Sequence, residues 1–258
     1  MLSMEAKTPQ ALYMAILQVF NAAIKLNGPT GNPSLDLTLN QIRPVSPRGQ
    51  LTLEACNFVG IVNEPSSDPI KTLDPVRNEK IEKYTKAEFE LYAKGETRAS
   101  EFAKAAPFWR EIANLDGTVN SCYGHLLWFA KLPGTHTTSW EWALESLKRD
   151  RESRQAFVRF SQSHHQYFHN KDQVCTMHGN FLIRDGFLNF TIVMRSNDVV
   201  KGLVYDMPWF CHIHARMCDE LLETYPDLKL GQYTHFVHSL HVYERDFPLI
   251  QSMLGEPV

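Results

Sequence analysis

A chain of 258 residues that is 43% hydrophobic can bury a substantial core, as one large domain or two small ones. Its net charge of −3 and lack of any long basic run argue against a nucleic-acid backbone as partner, while leaving room for a small anion held by a few arginines. Five cysteines (Cys56, Cys122, Cys175, Cys211 and Cys218), odd in number and irregular in spacing, fit a reducing cytoplasm rather than a disulfide framework.

The segment PQALYMAILQVFNAAIKLNG predicts an amphipathic helix starting near Pro9 and stopping at Gly28. Gln10, Gln18, Asn21 and Lys25 make it too polar to cross a membrane, and it lacks a charged start with a cleavage site. Residues 28–50, rich in Gly, Pro, Asn and Ser, read as loop. Residues 51–62 have strand character, and a polar loop follows to about 77. A helix is predicted over 78–95, with Ile81, Tyr84, Phe89, Leu91 and Tyr92 as apolar contacts, and a second over about 100–113. Residues 118–129 begin in a turn and become apolar, 138–150 form a short helix, and 155–162 form a strand. Over 174–194, two apolar runs flank Arg184-Asp185-Gly186, and Asp-Gly is a strong two-residue hairpin signal. A helix is predicted over 207–224, with Asp206 as its N-cap and Pro208 in its first turn. THFVHSLHVYERDF then supplies a strand and a turn or helix. No repeat or linker divides the chain, so the expectation is one α+β domain over 1–258.

The hairpin matters for chemistry. It should return the chain to its start, bringing Cys175, before the first strand, near Arg195 and Ser196, after the second. A thiol becomes a nucleophile as its thiolate, which nearby arginines favour; Arg154 and Arg195 could supply that field. A cysteine alone is more often a small buried apolar residue.

DQVCTMHGNFLIRDG and MRSNDVVKGLVYD together resemble the thymidylate synthase family, and within it the phage deoxycytidylate hydroxymethylase branch. Further stretches agree in order: AEFELY around Glu88, FWREIAN around Trp109, SCYG around Tyr123, ESRQ around Arg154, and SLHVYERDF around His241 and Tyr243. The resemblance covers roughly residues 45–250. It implies a thymidylate synthase-like α+β fold, with a mixed sheet at a homodimer interface and helices packed on the other face. It implies that Cys175 attacks C6 of a pyrimidine, so that C5 can attack the one-carbon unit of 5,10-methylenetetrahydrofolate. Glu88 would act with ordered water as acid and base. Arg154, Arg195 and Ser196 would grip the nucleotide phosphate, with Arg154 reaching across from the partner subunit, and Arg48 would be a further phosphate contact. Asp198 joins this nucleotide-binding set; His241 and Tyr243 would hold the sugar 3′-hydroxyl. Trp109 and Tyr123 would line the folate and nucleotide cavity.

Asp206 separates the branches. Synthases place Asn here, matched to the N3–H donor and O4 acceptor of uracil. Cytosine reverses that edge, and a carboxyl group can accept from its 4-amino group. The resemblance therefore implies a cytoplasmic deoxycytidylate 5-hydroxymethyltransferase, of phage type and without a metal. The alternatives are a dCMP 5-methyltransferase, a CMP 5-hydroxymethyltransferase and a non-catalytic nucleotide-binding homologue. The chain departs from the synthase pattern at Gln155 (usually Arg), Thr176 (often His), Ile112 (usually Trp) and the short tail MLGEPV. Ile112 would make room for water at the exocyclic methylene, which favours hydroxymethylation.

Two other chemistries compete. Cys211, His214 and Cys218 share one helical face, and His164, His165 and His169 lie near Cys175 in sequence, but no paired metal motif appears and the spacing equally suits a core stripe. A cysteine hydrolase with His178 or His238 as base lacks a nucleophile motif around Cys175.

Overall fold

The computed structural model describes residues 1–27 and 41–256. Most of the loop expected over 28–50, and Pro257-Val258 of the tail, lie outside these described residues. The chain forms two compact units of interleaved stretches: Met1–Ile81, Val193–His212 and Gln232–Val258 make the first, Glu82–Ile192 and Ile213–Gly231 the second.

In the first unit, β3 (Thr52–Val62) is the central strand. It pairs antiparallel with β8 (Lys229–Tyr243) and with β2 (Ile42–Val45), and parallel with β1 (Ser3–Ala6), which makes the sheet mixed. Strand β2 corrects the expected loop, and Pro44 concealed it; β1 was not anticipated. Helix α1 (Pro9–Asn27) starts as expected: Thr8 Oγ1 accepts from Ala11 N, with Pro9 in the first turn. Its apolar stripe of Leu12, Tyr13, Ile16, Leu17 and Phe20 is fully buried and packs on β3. Gly60 allows that approach, since a Cβ there would sit 2.8 Å from Leu12 Cδ2. The short β7 (Asn197–Asp198) pairs parallel with β8, and α7 (Phe247–Met253) packs on α1. Beyond α7, Glu256 accepts from Asn21 and Lys25 of α1 at 2.9 and 2.8 Å.

The second unit holds β4 (Phe157–Arg159), β5 (Thr176–Arg184) and most of β6 (Phe187–Met194), in the order β6-β5-β4. The predicted hairpin is present. Asp185 and Gly186 both have positive φ, 52° and 80°, as a type I′ turn requires. Burial alternates along β5 and β6, and Phe181 stacks on Phe190 at 4.2 Å. Helix α5 (Ser139–Arg149) has the capping box of Thr138 and Glu141.

Three helix boundaries differ from expectation. Helix α2 (Pro75–Ala93) begins earlier, because Asp74 Oδ1 accepts from Arg77 N and Pro75 opens the first turn. The helix expected over 100–113 ends as α3 (Ala99–Ala105): Pro107 forces Ala106 to extended geometry, and Pro107–Arg110 forms a separate 3-10 turn. Helix α6 is Leu203–Leu221, so Asp206 lies within its first turn and is not an N-cap. Asp198 satisfies donors ahead of that helix instead, accepting from Val200 N and Lys201 N at 2.8 and 2.9 Å. The segment 118–129 resolves into α4 (Tyr123–Trp128).

Candidate active site

In the second unit a continuous set of contacts joins Glu88 to the residue after Cys175. On α2, Tyr84, Glu88 and Tyr92 recur every fourth residue and share a face. Both phenols donate to Glu88 Oε1, at 2.9 Å from Tyr84 and 3.1 Å from Tyr92. Trp109 Nε1 donates to Tyr84 Oη at 3.0 Å. Tyr92 stacks on Tyr123 at 5.6 Å, and Tyr123 Oη accepts from Thr176 Oγ1 at 2.9 Å. Gly124 makes this possible. A Cβ there would lie 1.9 Å from Tyr92 O, so only glycine lets α4 approach α2 this closely. Asp172 secures the approach to Cys175 from the other side, accepting from Asn120 N and Ser121 N at 2.6 and 2.8 Å.

Glu88 is the electrostatic centre of this set. Burial pushes its carboxyl up to about 7, although the two phenol bonds pull the other way. Each bond to a charged acceptor is worth roughly 1.5–3 kcal/mol. Desolvating a carboxylate costs several kcal/mol, and here it wins. A carboxyl poised near neutrality can both give and take a proton.

The cysteines divide clearly. Cys122, Cys211 and Cys218 are buried and Cys56 is exposed; desolvation raises the thiols of all four, that of Cys122 to about 12. Cys175 is half-exposed between the fully buried Val174 and Thr176, at the mouth of β5. The metal alternative gains no geometry: His214 Nε2 contacts Leu188 O at 2.7 Å, and no group of three ligating residues occurs among the described residues.

In the first unit the register of β7 on β8 sets Asp198 opposite His241. Ser196 Oγ lies 3.5 Å from His241 Nδ1, and the rings of His241 and Tyr243 meet edge-on at 5.2 Å. Burial raises the Asp198 carboxyl against the opposing pull of His241. Asp206 Oδ2 accepts from Asn197 Nδ2 at 3.1 Å. Arg195, between β6 and β7, is half-buried. Arg48 is exposed on the 3-10 turn Pro47–Gly49, with left-handed φ of 53°. Thus Ser196, Asp198, His241 and Tyr243 come together, and Asp206 joins them through Asn197, the neighbour of Ser196.

Arg154 is exposed in the second unit. With Arg159, His178, Phe157 and Met177 it lines a cavity of about 540 Å³ along β4 and β5. Neither Cys175 nor Glu88 lines that cavity.

The thymidylate synthase family model matches residues 71–257, well over half the chain. The chain belongs to the thymidylate synthase family. It is similar to the deoxycytidylate 5-hydroxymethyltransferase of Enterobacteria phage T6, 29% identical over 176 residues, which are 66% of this chain and 70% of the relative. The corresponding phage T4 and T2 enzymes are 28% identical over the same shares. This family member is accordingly a folate-dependent one-carbon transferase acting on a pyrimidine nucleotide. The match spans every candidate site residue from Glu88 to Tyr243 and leaves out Arg48.

Tyr84, Tyr92, Asp172 and Asn197 were not anticipated as parts of a site. The i, i+4 repeat of Tyr84, Glu88 and Tyr92 was a usable signal, because two phenols flanking a carboxylate on one helical face invite hydrogen bonds as much as apolar packing. Asp172 and Asn197 carried no signal, since their partners are distant in sequence or set by the β7 turn.

Proposed function

We propose that this chain is a deoxycytidylate 5-hydroxymethyltransferase. The observation that carries the proposal is a carboxyl group, Asp206, in the first turn of α6, where its Oδ2 accepts from an amide. A carboxylate accepts from the 4-amino group of cytosine and opposes O4 of uracil. Cys175 adds through sulfur to C6 of dCMP, and the electron pair displaced to C5 attacks the methylene carbon of 5,10-methylenetetrahydrofolate. Loss of the C5 proton and expulsion of tetrahydrofolate leave an exocyclic methylene. Water adds there, and the C6–S bond breaks to release the thiolate and 5-hydroxymethyl-dCMP. Glu88 exchanges protons with ordered water during these steps.

Arg195 and Ser196, with Arg154 of a second copy in a homodimer, hold the phosphate, and Arg48 adds to them. Asp198 supports the nucleotide side of the site; His241 and Tyr243 hold the 3′-hydroxyl. Trp109 and Tyr123 face folate and nucleotide; their buried aromatic run suits a planar pterin. No described helix is long and apolar enough to cross a membrane, and we place the enzyme in the cytoplasm.

The test is tritium release from [5-³H]-dCMP with methylenetetrahydrofolate, followed by mass spectrometry of the product and absorbance. A hydroxymethylated product without formation of dihydrofolate is expected. Methyl-dCMP with rising dihydrofolate absorbance would assign the dCMP methyltransferase instead, turnover of CMP in preference to dCMP would assign a ribonucleotide enzyme, and no exchange with any pyrimidine nucleotide would leave a binding protein. Asp206→Asn should move preference toward dUMP, and retention of full cytosine selectivity by that variant would contradict the role given to Asp206.

A further inference from the structure

Behind Asp206 in the first unit lies a buried polar chain. Asn197 Nδ2 is 3.1 Å from Asp206 Oδ2 and 3.2 Å from His235 Nε2, and His235 Nδ1 is 2.5 Å from Tyr233 Oη. Asn197 is 3% exposed, and His235 and Tyr233 are fully buried. Met194 Sδ lies 2.9 Å from the same nitrogen. An amide nitrogen has two hydrogens and accepts nothing, so it shares them as a donor among these three acceptors. His235 Nε2 must therefore be bare, which places the ring proton on Nδ1, facing the Tyr233 oxygen. Burial keeps this imidazole neutral, holding it down to about 3.

The opposite amide orientation would set Asn197 Oδ1 against an oxygen of Asp206 and the sulfur of Met194, acceptor against acceptor at both contacts. In the observed orientation Asn197 Oδ1 is buried without a hydrogen-bond partner, and Gly202 accommodates it: a Cβ at Gly202 would lie 2.5 Å from that oxygen. The donor contacts on the nitrogen side outweigh that unmade bond and hold the amide one way round.

We propose that Asn197, oriented by His235 and Tyr233, is a positioning residue that holds Asp206 Oδ2 as a hydrogen-bond acceptor and thereby sets the choice of cytosine over uracil. This rests on the proposal above that Asp206 meets the base. With Asn197 donating to it, Oδ2 is held as an acceptor, which suits the 4-amino group. Without that donor, the carboxyl group loses this orientation and with it part of its preference for the 4-amino group over O4 of uracil.

The full chain, N197A and Y233F are compared for tritium release from C5 of dCMP and of dUMP with methylenetetrahydrofolate, and for binding of each nucleotide by calorimetry. N197A should lower the dCMP-to-dUMP ratio of kcat/KM by about tenfold, the equivalent of one ordinary charged hydrogen bond. Y233F, which removes one buried oxygen, should shift the ratio the same way by about threefold. A folded N197A with unchanged selectivity overturns the proposal, as does parallel loss of activity toward both nucleotides, which a merely structural role would give. Should N197A not fold, Y233F decides by the same criterion. If the unmodified chain releases no tritium from either nucleotide, the functional proposal fails, and the binding ratio alone then judges Asn197: an unchanged ratio overturns its role, a tenfold fall supports it.

Discussion

Glu88 shows how burial and hydrogen bonding compete at one residue. Its ordinary value of 4.5 is raised to about 7 by desolvation, with two tyrosine bonds opposing. A carboxyl whose folded value is raised is most compatible with folding when protonated. Its ionisation therefore costs stability progressively as pH rises from about 4.5 to about 7, up to roughly 3 kcal/mol above that window. Glu88→Gln keeps the shape and removes the titration. Thermal unfolding at pH 8 should show the variant more stable than the parent, with the advantage vanishing near pH 4, while C5 tritium release falls by roughly 10²–10⁴. A variant less stable at pH 8 would show that the tyrosine bonds, rather than burial, dominate. Cys175 was legible as a residue type suited to nucleophilic attack, and Glu88 only through the resemblance carried by AEFELY. The pair Tyr84 and Tyr92 read as apolar contacts, although their i, i+4 spacing about a carboxylate equally signals hydrogen bonds.

At the level of elements, α2 and α4 meet where Gly124 lies against Tyr92 O, and the Tyr92–Tyr123 stack depends on that approach. Gly124→Ala must push the helices apart. A loss of about 2–4 kcal/mol is expected from the combined overpacking and broken stack, measured by denaturant unfolding, with C5 exchange reduced further than stability alone explains. Unchanged stability would mean that the helices can separate without cost. Elements with local signals were legible: the Asp185-Gly186 turn, the Thr138–Glu141 capping box, and α1 behind Thr8 and Pro9. Strand β2 was not, because its pairing with β3 is a tertiary contact that tolerates Pro44. The end of α3 was readable in principle from Pro107 and the restriction it places on Ala106. Asp206 was misassigned as a cap because α6 starts three residues earlier, at Leu203, with Asp198 serving the preceding donors.

Across the described residues, three neutral buried histidines oppose Glu88 in their response to pH. Burial pushes His165 and His214 down to about 4 and His235 to about 3, from 6.5. A histidine depressed in this way contributes stability that is fully present above 6.5 and is lost as pH falls toward those values. The contributions of these three histidines are therefore lost as pH falls below 6.5, while that of Glu88 is regained. The unfolding temperature should peak near neutrality and decline toward pH 4; a steady rise from pH 7 to pH 4 would refute this balance. The α+β class followed from the alternation of strand and helix patterns, but the interleaving of the two units did not, since it depends on which distant stretches pair. That interleaving has a consequence during synthesis. Strand β3 leaves the ribosome long before β8, its principal partner, has been made. Until then it presents open backbone donors and acceptors to whatever strand is near, a hazard for a nascent chain. The second unit is complete once Gly231 has emerged. In ribosome-stalled chains halted just beyond that point, limited proteolysis should cut within residues 1–81 before 82–192, and cleavage in the reverse order would argue that the first unit closes without its last stretch.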